Sequence, residues 1–82
     1  MYYIFAFRSR SESMGFYQRL NSLGIETKLI STPRIISIGC GLSVKVGTEY
    51  LETASDSLNA CSVSTFLGVF YYNGNEIIRV RE

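Results

Sequence analysis

The 82-residue chain predicts a two-layer α+β sandwich, and three observations carry that expectation. Short aromatic and β-branched runs alternate with two segments whose apolar residues recur at helical spacing. Turn-forming residues separate them at Gly24, Pro33, Gly47 and Asn73-Gly74. Six Tyr and five Phe supply core volume in a chain without Trp. At this length one domain is expected over residues 1–82, with a core of about 2–71 and a hairpin extension over 72–82.

Taken in order, Tyr2 to Phe7 is short, aromatic and apolar, and reads as a buried strand. Ser9-Arg10-Ser11-Glu12 fits a capping box, with Ser9 as N-cap and Glu12 reaching back to the Ser9 amide. The helix should run to about Leu23, with Phe16, Leu20 and Leu23 on one face and Tyr17 at its border. Gly15 weakens that helix by about 1 kcal/mol relative to alanine, and is read as letting its first turn approach the sheet. Gly24 is placed for a left-handed cap, and Ile25 to Ile30 enters a second strand, parallel to the first.

Pro33 ends that strand, because proline cannot donate to a ladder. Arg34 to Gly39 form a loop, Cys40 stands at its far end, and Leu42 to Val46 alternates as a half-exposed third strand. Thr48 to Ala60 reads as a second helix with Thr48 as N-cap and Glu49 and Glu52 near its positive end. Tyr50 or Leu51, with Ala54, Leu58 and Cys61, forms its apolar stripe, and Cys61 on that stripe is read as buried and inert. Ser62 to Tyr72 holds a long strand in which Gly68 marks a bulge. Asn73-Gly74 signals a two-residue type I′ turn into a fifth strand, whose Arg79, Arg81 and Glu82 keep an edge soluble. The order β-α-β-β-α-β-β implies a ferredoxin-like βαββαβ sandwich with an antiparallel or mixed sheet and an extra C-terminal edge strand. Two helices cover one sheet face and leave the other for solvent or a partner, a second copy included.

Composition excludes several function classes. A net charge of +1 gives no basic footprint for nucleic acid. No apolar run approaches the roughly 20 residues that span a bilayer, and the apolar N-terminus lacks the charged flank of a signal peptide. Two cysteines without a secretion signal point to free thiols in a reducing cytoplasm. With no histidine, imidazole-based acid/base, nucleophile-pair and zinc chemistry are out of reach. Two thiols cannot make a four-thiolate metal site, and the carboxylates are scattered, so neither metal nor cofactor is expected.

What remains is Cys40, flanked by Gly39 and Gly41. Backbone amides can approach a thiol closely there, and thiolate is the reactive form, favoured by positive charge or aimed N–H groups. Arg34 supplies permanent charge on the same loop, and Lys28 and Lys45 join it if the flanking strands pair as a hairpin. Against this stands the ordinary role of a free cysteine as a small buried hydrophobe.

Thr32-Pro33-Arg34, Ile36-Ser37 and Cys40-Gly41-Leu42 together resemble the Pro-Arg-x-Ile-Ser-x-x-Cys-Gly-Leu signature of a family of small bacterial selenium/sulfur carrier-like proteins. Phe7-Arg8-Ser9 and Gly24-Ile25 are similar too, so the resemblance covers roughly residues 2–71. Gly39 and the tail from Asn73 to Glu82 depart from the family pattern. The resemblance implies a carrier in which Cys40 takes up sulfur or selenium as a persulfide or selenosulfide. Arg34 and the amides of Gly41 and Leu42 would stabilise the terminal atom, Ser37 would brace the loop or donate a hydrogen bond, and Pro33 would fix its geometry. A donor such as a cysteine desulfurase and an acceptor protein are the implied partners. Two readings stand beside it: an interaction or small-ligand regulatory domain using the Pro33–Gly41 loop, and a redox sensor pairing Cys40 with Cys61.

Overall fold

The computed structural model describes residues 1–37, 41–61 and 63–81, with Arg81 through its backbone alone. Gly39, Cys40, Glu82 and the Arg81 side chain lie outside the described residues, and the expectations placed on them lie outside as well.

The elements are β1 (Tyr2–Phe7), α1 (Arg10–Ser22), β2 (Thr27–Ser31), β3 (Leu42–Val46), a 3₁₀ turn (Thr48–Tyr50), α2 (Leu51–Asn59), β4 (Phe66–Tyr72) and β5 (Ile77–Arg81). The sheet order is β2-β3-β1-β4-β5, and every ladder is antiparallel. Each β-α-β crossover therefore skips a strand: β3 lies between β1 and β2, and β1 between β3 and β4. The strands joined by a helix run parallel without pairing, which settles the antiparallel over the mixed alternative.

Strand alternation sorts side chains onto two faces. On the helix face Phe5, Phe7, Val44, Val46 and Val69 pack with Phe16, Leu20, Ile25 and Ala54 into the main core. The Phe16 ring lies 5.2 Å from Phe5 and 5.5 Å from Phe7, and Phe66 lies 5.3 Å from Phe7. Burying each such ring contributes about 1.5–3 kcal/mol. No described helix covers the opposite face, yet Ile4, Ala6 and Phe70 are buried on it, flanked by Tyr2, Ile30, Ile36, Leu67, Tyr72 and Ile77. Basic side chains roof part of that face, with Arg79 5.0 Å from the Phe70 ring centre and Lys45 4.2 Å from that of Tyr2. Gly68, at φ +136°, sits where the β1–β4 register shifts, as the expected bulge.

Several local expectations are corrected. Ser9 does cap α1 through its side chain, accepting the Glu12 amide at 3.3 Å. Glu12 does not reach back; the Ser9 amide donates instead to the Thr65 hydroxyl, at 3.0 Å. The Glu12 carboxylate accepts from the amides and hydroxyls of Ser64 and Thr65 at 2.6–3.1 Å. Four donors outcompete one. At the other end the Gly24 amide bonds to Asn21 and the Ile25 amide to Leu20, both at 3.0 Å, with Gly24 at φ +83°. This Schellman reversal turns Ile25 into the core and leaves Leu23, expected on the buried face, 52% exposed. Gly15 faces open space, and in the first turn of α1 it is Ser13 that meets the sheet, ahead of Phe16 and Leu20.

Thr48 is not the N-cap of the second helix: it opens the 3₁₀ turn, and α2 starts at Leu51. The hairpin after β4 is not type I′, which needs positive φ at both central residues. Only Gly74 has it, while the Asn73 side chain accepts the amides of Asn75 and Glu76 at 2.9 and 2.8 Å and widens the turn.

Candidate functional site

The loop between β2 and β3 is built on a fixed base. Its two ends are joined by the Thr32 amide donating to the Gly41 carbonyl at 3.1 Å. Within it, the Pro33 carbonyl accepts the amides of Ile36 and Ser37 at 2.9 and 3.1 Å, closing one tight turn. The ring of Pro33 fixes its own φ, so that turn starts from a restricted backbone. Arg34 and Ile35 stand at its exposed side, Ile35 at 75% exposure, while Ile36 points back onto the helix-free sheet face. Ser37 is half-buried.

Beneath the loop lies a buried polar pair, Thr32 and Ser43, with hydroxyl oxygens 2.8 Å apart. Gly41 is pressed against it: a Cβ there would stand 3.1 Å from the Phe7 carbonyl oxygen and 3.2 Å from the Thr32 hydroxyl. The Leu42 carbonyl accepts from the fully buried Ser13 hydroxyl in the first turn of α1. The base of the loop is thus tied to β1, β2 and α1 together. Thr32 entered the sequence reading only as part of the Thr32-Pro33-Arg34 motif, and Ser43 and Ser13 were not singled out. Strand alternation places Ser43 and Ala6 on one face, and that was the available signal.

Of the residues proposed from the sequence, Pro33, Arg34, Ser37, Gly41 and Leu42 fall on this base and turn, and Cys40 lies outside the described residues. Arg34 is exposed and makes no hydrogen bond or ion pair among the described residues. Lys28 and Lys45 do pair, as ladder partners, but not beside the loop. Three rungs separate them from Ser31 and Leu42, about 10 Å at strand spacing. Over that distance exposed charges are largely screened at physiological salt. Cys61 is half-buried against the main core as a free thiol, so it is less enclosed than expected.

Among the described residues no group of His, Cys, Asp or Glu is arranged to hold a metal ion. None of the described helices is long and apolar enough to cross a membrane. A concavity of about 290 Å³ lies at the opposite end of the strands, lined by residues that include Thr27, Lys45 and Gly47.

No curated protein and no solved structure matches the chain. A family model described as "Putative Se/S carrier protein-like" matches residues 2–65, which take in β1, α1, β2, the whole loop, β3 and α2. The chain belongs to this Se/S carrier protein-like family.

Proposed function

We propose that the protein is a sulfur or selenium carrier in which Cys40 accepts the chalcogen from a donor protein and hands it to an acceptor. The family match over residues 2–65 is the observation that carries this reading. In the transfer, the Cys40 thiolate attacks the outer sulfur of a donor persulfide. A new S–S bond forms to Cys40, the donor's S–S bond breaks, and the donor departs as thiolate, with no net oxidation. The acceptor's nucleophile repeats the attack on the outer sulfur and releases Cys40. Arg34 and the amides of Gly41 and Leu42 serve to stabilise the negative terminal atom, Ser37 braces the loop, and Pro33 sets its turn. Free thiols used this way belong in a reducing compartment such as the cytoplasm.

The closed base of the loop supports the reading, since the Thr32 amide joins its two ends at Gly41 and Gly41 is held from two sides. The test is intact mass after incubation with a cysteine desulfurase and cysteine, without reductant, for wild type, Cys40→Ser and Cys61→Ser. A gain of sulfur that vanishes only in Cys40→Ser is the expected result. No gain in wild type, while a control carrier is loaded, would refute sulfur transfer from that donor. The exposure of Ile35 at the loop favours a second reading, a non-catalytic interaction domain that docks a partner through Pro33–Gly41. That reading gains if partner binding survives Cys40→Ser and fails in Ile35→Asp.

A further inference from the structure

At the loop end the register of the sheet continues past its last rungs into one row. The Thr32 amide donates to the Gly41 carbonyl, Gly41 lies against the Phe7 carbonyl, and the Arg8 amide donates to the Thr65 carbonyl at 2.9 Å. That row gathers three arginines at one end of the molecule: Arg8 within it, Arg10 two residues on, and Arg34 two residues beyond Thr32. All three are exposed, and none of their guanidinium groups makes a hydrogen bond or ion pair among the described residues. Glu12 is the one carboxylate in the segments that form this end, 7–12, 31–37, 41–42 and 63–65, and its oxygens are engaged by Ser64 and Thr65. Glu26, Glu49, Glu52 and Glu76 stand toward the far end, where Thr27, Val46 and Tyr72 lie. A single exposed arginine is ordinary solvated surface. Here the set costs stability that the fold does not recover. Arg10 is the first residue of α1, where a cation opposes the helix dipole, and the acid of that first turn, Glu12, is turned to other partners. Beside the arginines Ile35 stands 75% exposed on the turn that Pro33 restricts, while Ile36 is turned back onto the sheet. Arginine around an apolar side chain is the composition of a protein contact. Single-stranded nucleic acid would instead need exposed rings on which bases stack. None is exposed at this end: Phe7 and Phe16 are buried, and Tyr2, Tyr3, Tyr71 and Tyr72 lie at the far end of β1 and β4.

We propose that this end, with Arg8, Arg10 and Arg34 beside Ile35, docks a protein partner through an acidic surface that offers Ile35 an apolar contact. The proposal deepens the carrier reading and rests on it for the need of a protein partner. Carboxylates of that partner supply the counter-charge that the chain itself withholds from the three guanidinium groups. Complementary charge of this kind steers and orients encounter, and it weakens as salt is raised.

The test is an amide NMR titration of the full chain with the peptide Glu-Glu-Leu-Leu-Glu-Glu, with its Gln-Gln-Leu-Leu-Gln-Gln counterpart, and with a short thymidine oligonucleotide. The acidic peptide alone is expected to give saturable shifts centred on Arg8, Arg10, Arg34 and Ile35, weakening as sodium chloride is added. Arg8→Gln and Arg10→Gln should each weaken that binding by about two- to fivefold. Arg19→Gln, in the last turn of α1, should leave it unchanged. Arg34, assigned to the terminal atom, is kept intact in these variants. Shifts that do not saturate, that spread equally to Arg19, Lys28 and Lys45, or that survive both substitutions would overturn the proposal, as would tighter binding of the oligonucleotide at the same residues. Sulfur loading from the desulfurase, run on the same samples, keeps the two readings apart. Peptide binding without loading refutes the carrier and supports the docking surface, whereas loading without peptide binding refutes the docking surface and leaves the carrier.

Discussion

Adding one methyl group at Gly41 probes the base of the loop directly. Its Cβ would stand 3.1 Å from the Phe7 carbonyl oxygen and 3.2 Å from the Thr32 hydroxyl, where unstrained contact begins near 3.4 Å. Neither neighbour yields freely. Phe7 is fully buried with its ring between Phe16 and Phe66, and the Thr32 hydroxyl is paired with Ser43. Gly41 is not at positive φ, so the backbone tolerates alanine and only space opposes it. Overpacking of this kind costs about 1–3 kcal/mol. Removing a glycine from the unfolded chain returns about 0.4–1 kcal/mol. Gly41→Ala should therefore destabilise by about 1–2 kcal/mol, lowering the melting temperature by roughly 5–15 °C for a chain this size. Urea unfolding followed by tyrosine fluorescence and far-UV circular dichroism measures it, the chain having no Trp. Thr32→Ala removes one of the two obstructing atoms, so the double variant should be less destabilised than the sum of the singles. A Gly41→Ala protein as stable as wild type, or more so, would refute a tightly enclosed loop base.

Two other glycines should answer in opposite directions. Gly15→Ala, within α1 and with nothing near its Cβ, should stabilise by about 0.5–1 kcal/mol. Gly24→Ala, at φ +83°, should destabilise by about 1 kcal/mol in the same urea assay; equal effects would contradict the helix ends described. The Glu12 carboxyl is lowered from 4.5 to about 2, chiefly by the Thr65 hydroxyl and then by the Ser64 and Thr65 amides. A folded value below the unfolded one means that this contribution is complete above pH 4.5 and is lost as pH falls toward 2. The stability gap between wild type and Glu12→Gln should therefore narrow across that window, and a gap independent of pH would count against the clamp.

Much of the layer structure was legible because the residues that form it are consistent at several levels. β1 and β3 were read at their observed limits, since an aromatic run and a five-residue alternation each leave one assignment. Gly24 and Gly68 were read from the conformations that only glycine adopts readily. The failures share a cause: they turn on partners distant in sequence. Glu12 fits a local capping box, and only the fold brings Ser64 and Thr65 within its reach. Leu23 has the right spacing for the buried face until the reversal at Gly24 redirects the chain. Thr48 lost the N-cap position to a 3₁₀ turn that no residue preference announces. At the candidate site, residue type alone singled out Pro33, Arg34 and Gly41 as candidates. The Thr32–Ser43 pair beneath them required the β2–β3 register, and so did the distance of Lys28 and Lys45 from the loop.

The central position of β1 has a consequence for biosynthesis. The earliest of the five described strands in chain order is also flanked on both sides, by β3 and by β4, so its pairing is completed only when β4 arrives. The Ser9 amide and the Thr65 hydroxyl that close that seam are 56 residues apart in sequence. Closing so long a loop is entropically unfavourable until the ladder forms, which slows folding relative to folds built from local contacts. During translation β1 therefore emerges with an aromatic, unpaired edge and must wait for β4, which follows the matched residues 2–65, to leave the ribosome. Until then Phe5 and Phe7 are exposed to any chaperone or neighbouring chain that offers an edge.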